Sequence, residues 1–180
     1  MPRRPRSFVS GGLYHVFNRG NWKQAIFLSD GDRALFLELV RKAASRREWA
    51  IHGYCLMENH YHLVVETPQP DLSAGMQRIN SEYAQSFNRG YGFVGHLFQG
   101  RFQAVRVDSD GHLLELNRYL ALNPVRAGLC VAPALWPWSG YSEIVSFCAA
   151  PLVSSKRVLS LFGGDVEQAL RAFRNFVEAG

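Results

Sequence analysis

The run Glu58-Asn59-His60-Tyr61-His62-Leu63-Val64-Val65-Glu66 narrows the folds open to this chain more than any other stretch. It alternates with the period of a β-strand. His60, His62, Val64 and Glu66 therefore share one face, while Tyr61, Leu63, Val65 and Thr67 share the other. A buried apolar neighbour holds such a strand still. Two imidazoles two residues apart on one strand are close enough to hold a single divalent cation. The triplet alone leaves a plainer alternative open, with one histidine exposed and the other a satisfied polar group at a sheet edge.

Elements on either side of that strand give a topology. Gly12 to Asn18 reads as a first strand. Ser29-Asp30 caps a helix from about Gly31 to Arg47, with Leu35, Leu39 and Ala43 at helical spacing. Trp49 to Met57 is a second strand, and Glu58-Asn59 turns tightly into the third, His60 to Thr67, which Pro68-Gln69-Pro70 ends. Asp71 or Ser73 caps a second helix to about Asn88, whose stripe of Met76, Ile79, Tyr83 and Phe87 is core. After a glycine-rich loop from Tyr91 to Gln99, Phe102 to Val107 is a fourth strand. Asp108-Ser109-Asp110 then caps a third helix, about Gly111 to Leu122, stopped by Pro124. The order β-α-β-β-α-β is the ferredoxin-like split motif, an α+β fold with an antiparallel sheet and helices on one face. The third helix is surplus to that motif and is expected near the other face.

Residues 1–130 are expected to form one catalytic domain. Residues 131–180, with the loop Trp136-Pro137-Trp138 and a short amphipathic helix from Asp165 to Ala179, read as an appended extension. A content of 47% hydrophobic and 19% charged residues excludes a disordered chain. No apolar run reaches membrane-spanning length, and Arg3, Arg4 and Arg6 lead into no apolar signal core, so a cytoplasmic location is expected. Cys55, Cys130 and Cys148 form no CxxC pair and cannot all be bridged within one molecule, which points to reduced thiols. Charge is more informative. Residues 1–130 carry 16 Lys and Arg against 11 Asp and Glu, whereas residues 131–180 carry 4 against 4. The whole excess of +5 lies with the part that holds the histidine triplet. Most of these bases are arginines, whose planar fork suits phosphate, and a polyanion such as nucleic acid is favoured as partner. A generic basic face exposed to solvent is the alternative.

On the third helix, Glu115, Tyr119 and Asn123 are spaced i, i+4, i+8 and lie roughly on one face, beside a packing stripe of Leu113, Leu116 and Leu120. A helical tyrosine is usually core or surface filler, and an asparagine before proline usually ends a helix. Yet a phenol, an amide one turn later and an HxH strand are what metal-assisted phosphodiester transesterification needs. A cation takes two imidazoles and an amide oxygen, leaving positions for phosphate oxygen and water. It then offsets charge building on phosphorus while the phenolate attacks in line.

The order of motifs resembles a known family. Gly12-Leu13-Tyr14-His15-Val16, Tyr54-Cys55-Leu56-Met57-Glu58-Asn59-His60-Tyr61-His62-Leu63, Met76-Gln77 with Tyr83 and Phe87-Asn88, Gly95-His96-Leu97-Phe98-Gln99-Gly100-Arg101-Phe102, and Tyr119 with Leu122-Asn123-Pro124-Val125-Arg126-Ala127-Gly128 look like the REP-associated tyrosine transposases. These are relatives of the small single-strand transposases of the HUH superfamily, named for histidine–hydrophobic–histidine. The resemblance covers about residues 8–140 and only loosely the last 40. It implies that His60 and His62 are the metal-binding pair, that Tyr119 is the single nucleophile and that Asn123 is the third metal ligand, where close relatives often carry the longer Gln. The implied reaction cuts single-stranded, hairpin-bearing DNA to a 5′-phosphotyrosine and a free 3′-OH, then joins strands without ATP. The implied cation is Mg²⁺ or Mn²⁺, since zinc prefers further strong N or S ligands that the sequence does not place nearby. The resemblance suits a monomer or homodimer associated with the nucleoid.

Other side chains compete for roles. Tyr61 and Tyr83 are rival nucleophiles, but Tyr61 points to the face away from the histidines and Tyr83 lies in the apolar stripe. Glu66 shares the histidine face and is a candidate acceptor behind a metal ligand. His15, His52, His96 and His112 have no ligand-like spacing and read as structural or exposed. Arg101, Arg106, Arg118 and Arg126 surround the site in sequence as phosphate contacts, and Phe98, Phe102 and Tyr91 are candidates for stacking on bases. Two other functions fit the same fold: a catalytically silent nucleic-acid-binding protein, and a metal-dependent nuclease in which water attacks.

Overall fold

The computed structural model describes residues 8–146 and 150–180, so Arg3, Arg4, Arg6 and Cys148 lie outside the described residues. Four strands, β1 Gly12–Arg19, β2 Ala50–Leu56, β3 His60–Thr67 and β4 Gln103–Arg106, form one antiparallel sheet in the order β2-β3-β1-β4. This is the ferredoxin-like order, as the sequence predicts. Register follows from the alternation in β3: Phe17 pairs with His62, His15 with Val64 and Arg19 with His60. Those β1 side chains therefore stand on the histidine face.

Helices α1, Asp30–Arg47, and α2, Leu72–Tyr91, cover the opposite face. Phe36 of α1 lies 4.6 Å from the Tyr61 ring, and the Tyr61 hydroxyl donates to Asn80 of α2 at 2.9 Å. Tyr83 donates to the Ile26 carbonyl. The start of α1 is a capping box, with Ser29 and Asp32 each satisfying the other's backbone N–H. Asp71 does not cap α2. Its carboxylate instead accepts from the Trp49 indole at 2.9 Å and from Arg47 at 2.5 Å, pinning the start of α2 to the end of α1.

Helix α3, Asp110–Arg126, lies on the histidine face. Gly53 in β2 allows its close approach, because a Cβ there would sit 2.6 Å from Asn117 Oδ1. The helix runs through Pro124 rather than stopping before it. A proline in the last turn removes only one backbone donor. The stop is Gly128, at φ +72°, which lets Gly128 N reach the Val125 carbonyl and Leu129 N the Pro124 carbonyl, both at 2.9 Å.

Beyond residue 130 the chain runs along the outer edge of β2. Leu56 N donates to Trp138 O at 2.9 Å, Ser154 N to Ile51 O at 2.7 Å, and the Trp136 indole to Leu56 O at 3.1 Å. Three short helices follow, α4 Gly140–Val145, α5 Ser155–Ser160 and α6 Val166–Glu178. Leu170, Phe173 and Val177 of α6 are buried in the same continuous apolar cluster as Val16 and Leu63 of the sheet.

Candidate active site

His60 and His62 project from β3 with ring centroids 5.0 Å apart and planes at 89°. Tyr119 of α3 meets His62 edge-on at 5.7 Å. All three line one cavity of about 450 Å³, whose wall is completed by Phe17, Asn18 and Arg19 of β1, Asn59, Gln99 and Gln103. Each histidine has one nitrogen engaged. His60 Nδ1 donates to Asn59 Oδ1 at 2.7 Å, and His62 Nδ1 shares a proton with His15 Nε2 at 2.9 Å. His62 Nε2 is buried with no hydrogen-bond partner among the described residues. A buried polar atom in that state is expensive unless something binds it.

The electrostatics hold the imidazoles neutral, the form that ligates a metal. Burial, with His15 and His60 adding to it, holds His62 down to about 3. Burial and then the charge of His112 hold His15 down to about 4. His60 is lowered by burial and by the Arg19 guanidinium. The two free Nε2 positions fit a divalent cation. Among the described residues no cluster of three His, Cys, Asp or Glu side chains accompanies them, so further ligands have to be amide, water or substrate oxygens.

Asn123 is not on the cavity wall. It sits one turn beyond Tyr119, and its Nδ2 is buried without a partner among the described residues. Glu66 does not back the histidine pair. Four residues further along β3, its carboxylate accepts from His52 at 2.7 Å and from Arg157 at 2.9 Å, and His15 holds His62 in its place. The β-bulge between Ile51 and Gly53 supplies the extra residue, His52, that reaches Glu66. Phe98 is no exposed stacking face, because its ring is buried 6.1 Å from Tyr61 and 6.4 Å from Tyr83.

The arginines divide. Arg101 lines a groove beside the cavity, and Arg126 is exposed at the end of α3. Arg106 pairs with Asp108 at 3.0 Å and stands opposite Tyr14 in the register, on the far face of the sheet. Arg118 pairs with Glu115 at 2.5 Å and lies 4.6 Å over the Phe176 ring, facing α6 instead of the cavity. Sequence reasoning missed His15, Arg19, Gln99 and Gln103. Antiparallel pairing of the two histidine-bearing strands was the signal available, since it sets Arg19 beside His60.

In overall shape the chain is similar to a REP-associated tyrosine transposase solved bound to a REP hairpin, with a TM-score of 0.67 and 20% identity over 92% of this chain and 93% of that one. It is also similar to the tRNA(His) guanylyltransferase of Saccharomyces cerevisiae, with a TM-score of 0.51 and 8% identity over 97% of this chain and 82% of that one. At such identities the likeness speaks for the fold alone. No curated protein matches the chain. The IS200-like transposase family does match, over residues 8–123, a span that contains His60, His62, Tyr119 and Asn123, and the chain belongs to that family.

Proposed function

We propose that this transposase cuts and rejoins single-stranded DNA through a 5′-phosphotyrosine on Tyr119, at a site where His60 and His62 hold Mg²⁺ or Mn²⁺. The observation that carries the reading is the shared cavity: Tyr119, 41% exposed, lies against a histidine pair whose Nε2 atoms are free. Tyr61 and Tyr83, the rivals, are buried on the other face with their hydroxyls committed to Asn80 and to the Ile26 carbonyl.

The Tyr119 oxygen attacks phosphorus as its proton leaves, the bond from phosphorus to O3′ breaks, and the departing oxygen takes a proton to become a free 3′-OH. The phosphotyrosine keeps the energy of the broken bond, so a second 3′-OH reverses the step and joins strands. A bound cation supplies charge stabilisation at the phosphoryl oxygens. Asn59 and His15 fix the ring orientations of the two histidines. Arg19, on the wall beside His60, offers a guanidinium to the phosphate. Asn123, one turn beyond Tyr119, and Gln103, on the cavity wall, are the amide side chains that would complete the ligand set. A hairpin-bearing substrate is supported by the hairpin bound to the similarly shaped transposase.

End-labelled single strands from the DNA flanking the gene, incubated with Mn²⁺, are expected to give a denaturant-stable adduct that Tyr119→Phe abolishes. Combined His60→Ala and His62→Ala changes, or excess chelator, should stop cleavage while strand binding survives. An adduct from the Phe variant overturns the nucleophile. A free 5′-phosphate in place of a blocked end identifies a water-using nuclease, and binding without any cleavage identifies a silent binder.

A further inference from the structure

The turn between β1 and α1 carries a feature that the chemistry above does not use. Trp22 is 91% exposed and sits at φ 53°, followed by Lys23 at φ 61°. Two consecutive non-glycine residues in the left-handed region store strain, which persists only where the surroundings enforce it. Here they do. Gly20 N donates to Asn59 O and Asn21 N to Leu97 O, both at 2.8 Å, while Asn59 Nδ2 holds the Lys23 carbonyl at 3.0 Å. A Cβ on Gly20 would sit 2.1 Å from the Gln24 carbonyl oxygen, so the turn is closed as tightly as the backbone permits.

Exposure of the largest apolar side chain on a fixed turn has no folding rationale. Trp49, in contrast, is buried, and Trp136 and Trp138 pack against the core. The position of the turn suggests a use. Asn59 lines the catalytic cavity, and Asn21 lines a neighbouring groove of about 770 Å³ between α2 and the loop before β4. Gln99 belongs to both walls, so the two adjoin there. The groove presents Gln77, Ser81 and Arg101 and contains no Asp or Glu. A polyanion with hydrogen-bonding bases fits such a lining, where no carboxylate opposes it.

We propose that Trp22 is a stacking platform for a base of the unpaired strand, which passes from the Tyr119 cavity over Gln99 into the acid-free groove. Lys23 beside it suits the adjoining phosphate. A solvent-facing indole offers stacking to any base without sequence choice, and the hydrogen-bonded turn fixes the backbone that carries it. The proposal rests on unpaired DNA being the substrate, but it needs no role for Tyr119 in chemistry.

The test is binding of a fluorescently labelled oligothymidylate single strand to the full chain in chelator, so that no cleavage intervenes. Trp22→Gly should weaken binding about 5- to 150-fold, the range of one lost base–aromatic stack. Its melting temperature should be no lower than that of the wild type, because glycine adopts this backbone without strain. Trp22→Phe should keep most of the affinity. Unlabelled oligothymidylate should quench the tryptophan emission of the wild type and leave that of Trp22→Phe nearly unchanged. A Gly variant that binds as tightly as the wild type overturns the platform. So does equal quenching in the Phe variant, and a Gly variant that melts lower or fails to fold assigns Trp22 a structural role instead. Adduct formation by these variants is scored separately, so loss of the Tyr119 chemistry and loss of the platform register in different assays.

Discussion

Two tyrosines touch the histidine strand's neighbourhood and differ in what a nucleophile requires. Tyr61 is buried, burial pushes its pKa well above the ordinary phenol value, and Asn80 engages its hydroxyl. Tyr119 faces an open cavity. Tyr61→Phe is therefore expected to lower stability by about 1 kcal/mol, because it strips the partner from Asn80, while adduct formation continues. Tyr119→Phe should change stability by less than about 0.5 kcal/mol and remove the adduct. Urea denaturation of the two variants beside an adduct gel separates the roles. That His60 and His62 share a strand face and that Tyr119 lies on a helix was legible because alternation and helical spacing are local, whereas their meeting in one cavity was implied only by the family resemblance. His15 was not legible: its contact with His62 depends on the pairing of two strands forty-seven residues apart in sequence, which no local pattern encodes. Phe98 failed for the related reason that an aromatic in a glycine-rich loop looks exposed until the loop folds back onto Tyr61.

Between elements, the carboxylate of Glu66 joins β3 to the bulge of β2 through His52 and to α5 through Arg157, and Arg157 reaches on to Asp110 at the start of α3. Partial burial works to raise the Glu66 carboxyl, yet the hydrogen bonds from His52 and Arg157 bring it below its usual 4.5. A carboxyl lowered on folding stabilises the native state above its unfolded value and loses that contribution as the pH falls through the folded one. Wild-type stability should thus drop as the pH is lowered below about 4.5, and Glu66→Gln should lack that component. Urea midpoints compared at pH 6 and pH 3.5 check it; a parallel decline in both proteins would remove Glu66 as the cause. Among elements, the four strands and three long helices were readable from periodicity and caps. The end of α3 was misread because proline is a strong signal at the sequence level, although in a last turn it costs a single hydrogen bond and Gly128 governs the stop.

Across the whole molecule, helices cover both faces of the sheet, with α1 and α2 on one and α3 with the later helices on the other. The net charge of +5 is not uniformly free for a partner, because Arg47, Arg78, Arg106, Arg118 and Arg171 are already paired with carboxylates. Arg19, Arg101 and Lys23 border the cavity, the groove and the turn. Strand binding should therefore weaken steeply with salt, with a slope set by these few cations, and a perfect duplex of the same sequence should be cleaved poorly. Equal cleavage of single-stranded and duplex target at one salt concentration would contradict this reading.

The backbone that closes the outer edge of β2 is synthesised well after the strand it closes. Until residues 138 and 154 have left the ribosome, Leu56 N and Ile51 O lack the partners they have in the finished fold, and the apolar side of α3 is not yet covered by α6. Elongation proceeds at about 5–20 residues per second, so a nascent chain spends some seconds with an open strand edge beside a nearly complete Tyr119 cavity. Chains stalled with residue 130 just exposed should be cut by protease within α3 and β2, whereas chains stalled past residue 180 on a linker should resist. Equal resistance in the two would mean that the first 130 residues seal themselves. Synthesis order thus acts as a delay, in which Tyr119 leaves the ribosome before α6, the helix that packs against Tyr119's own helix.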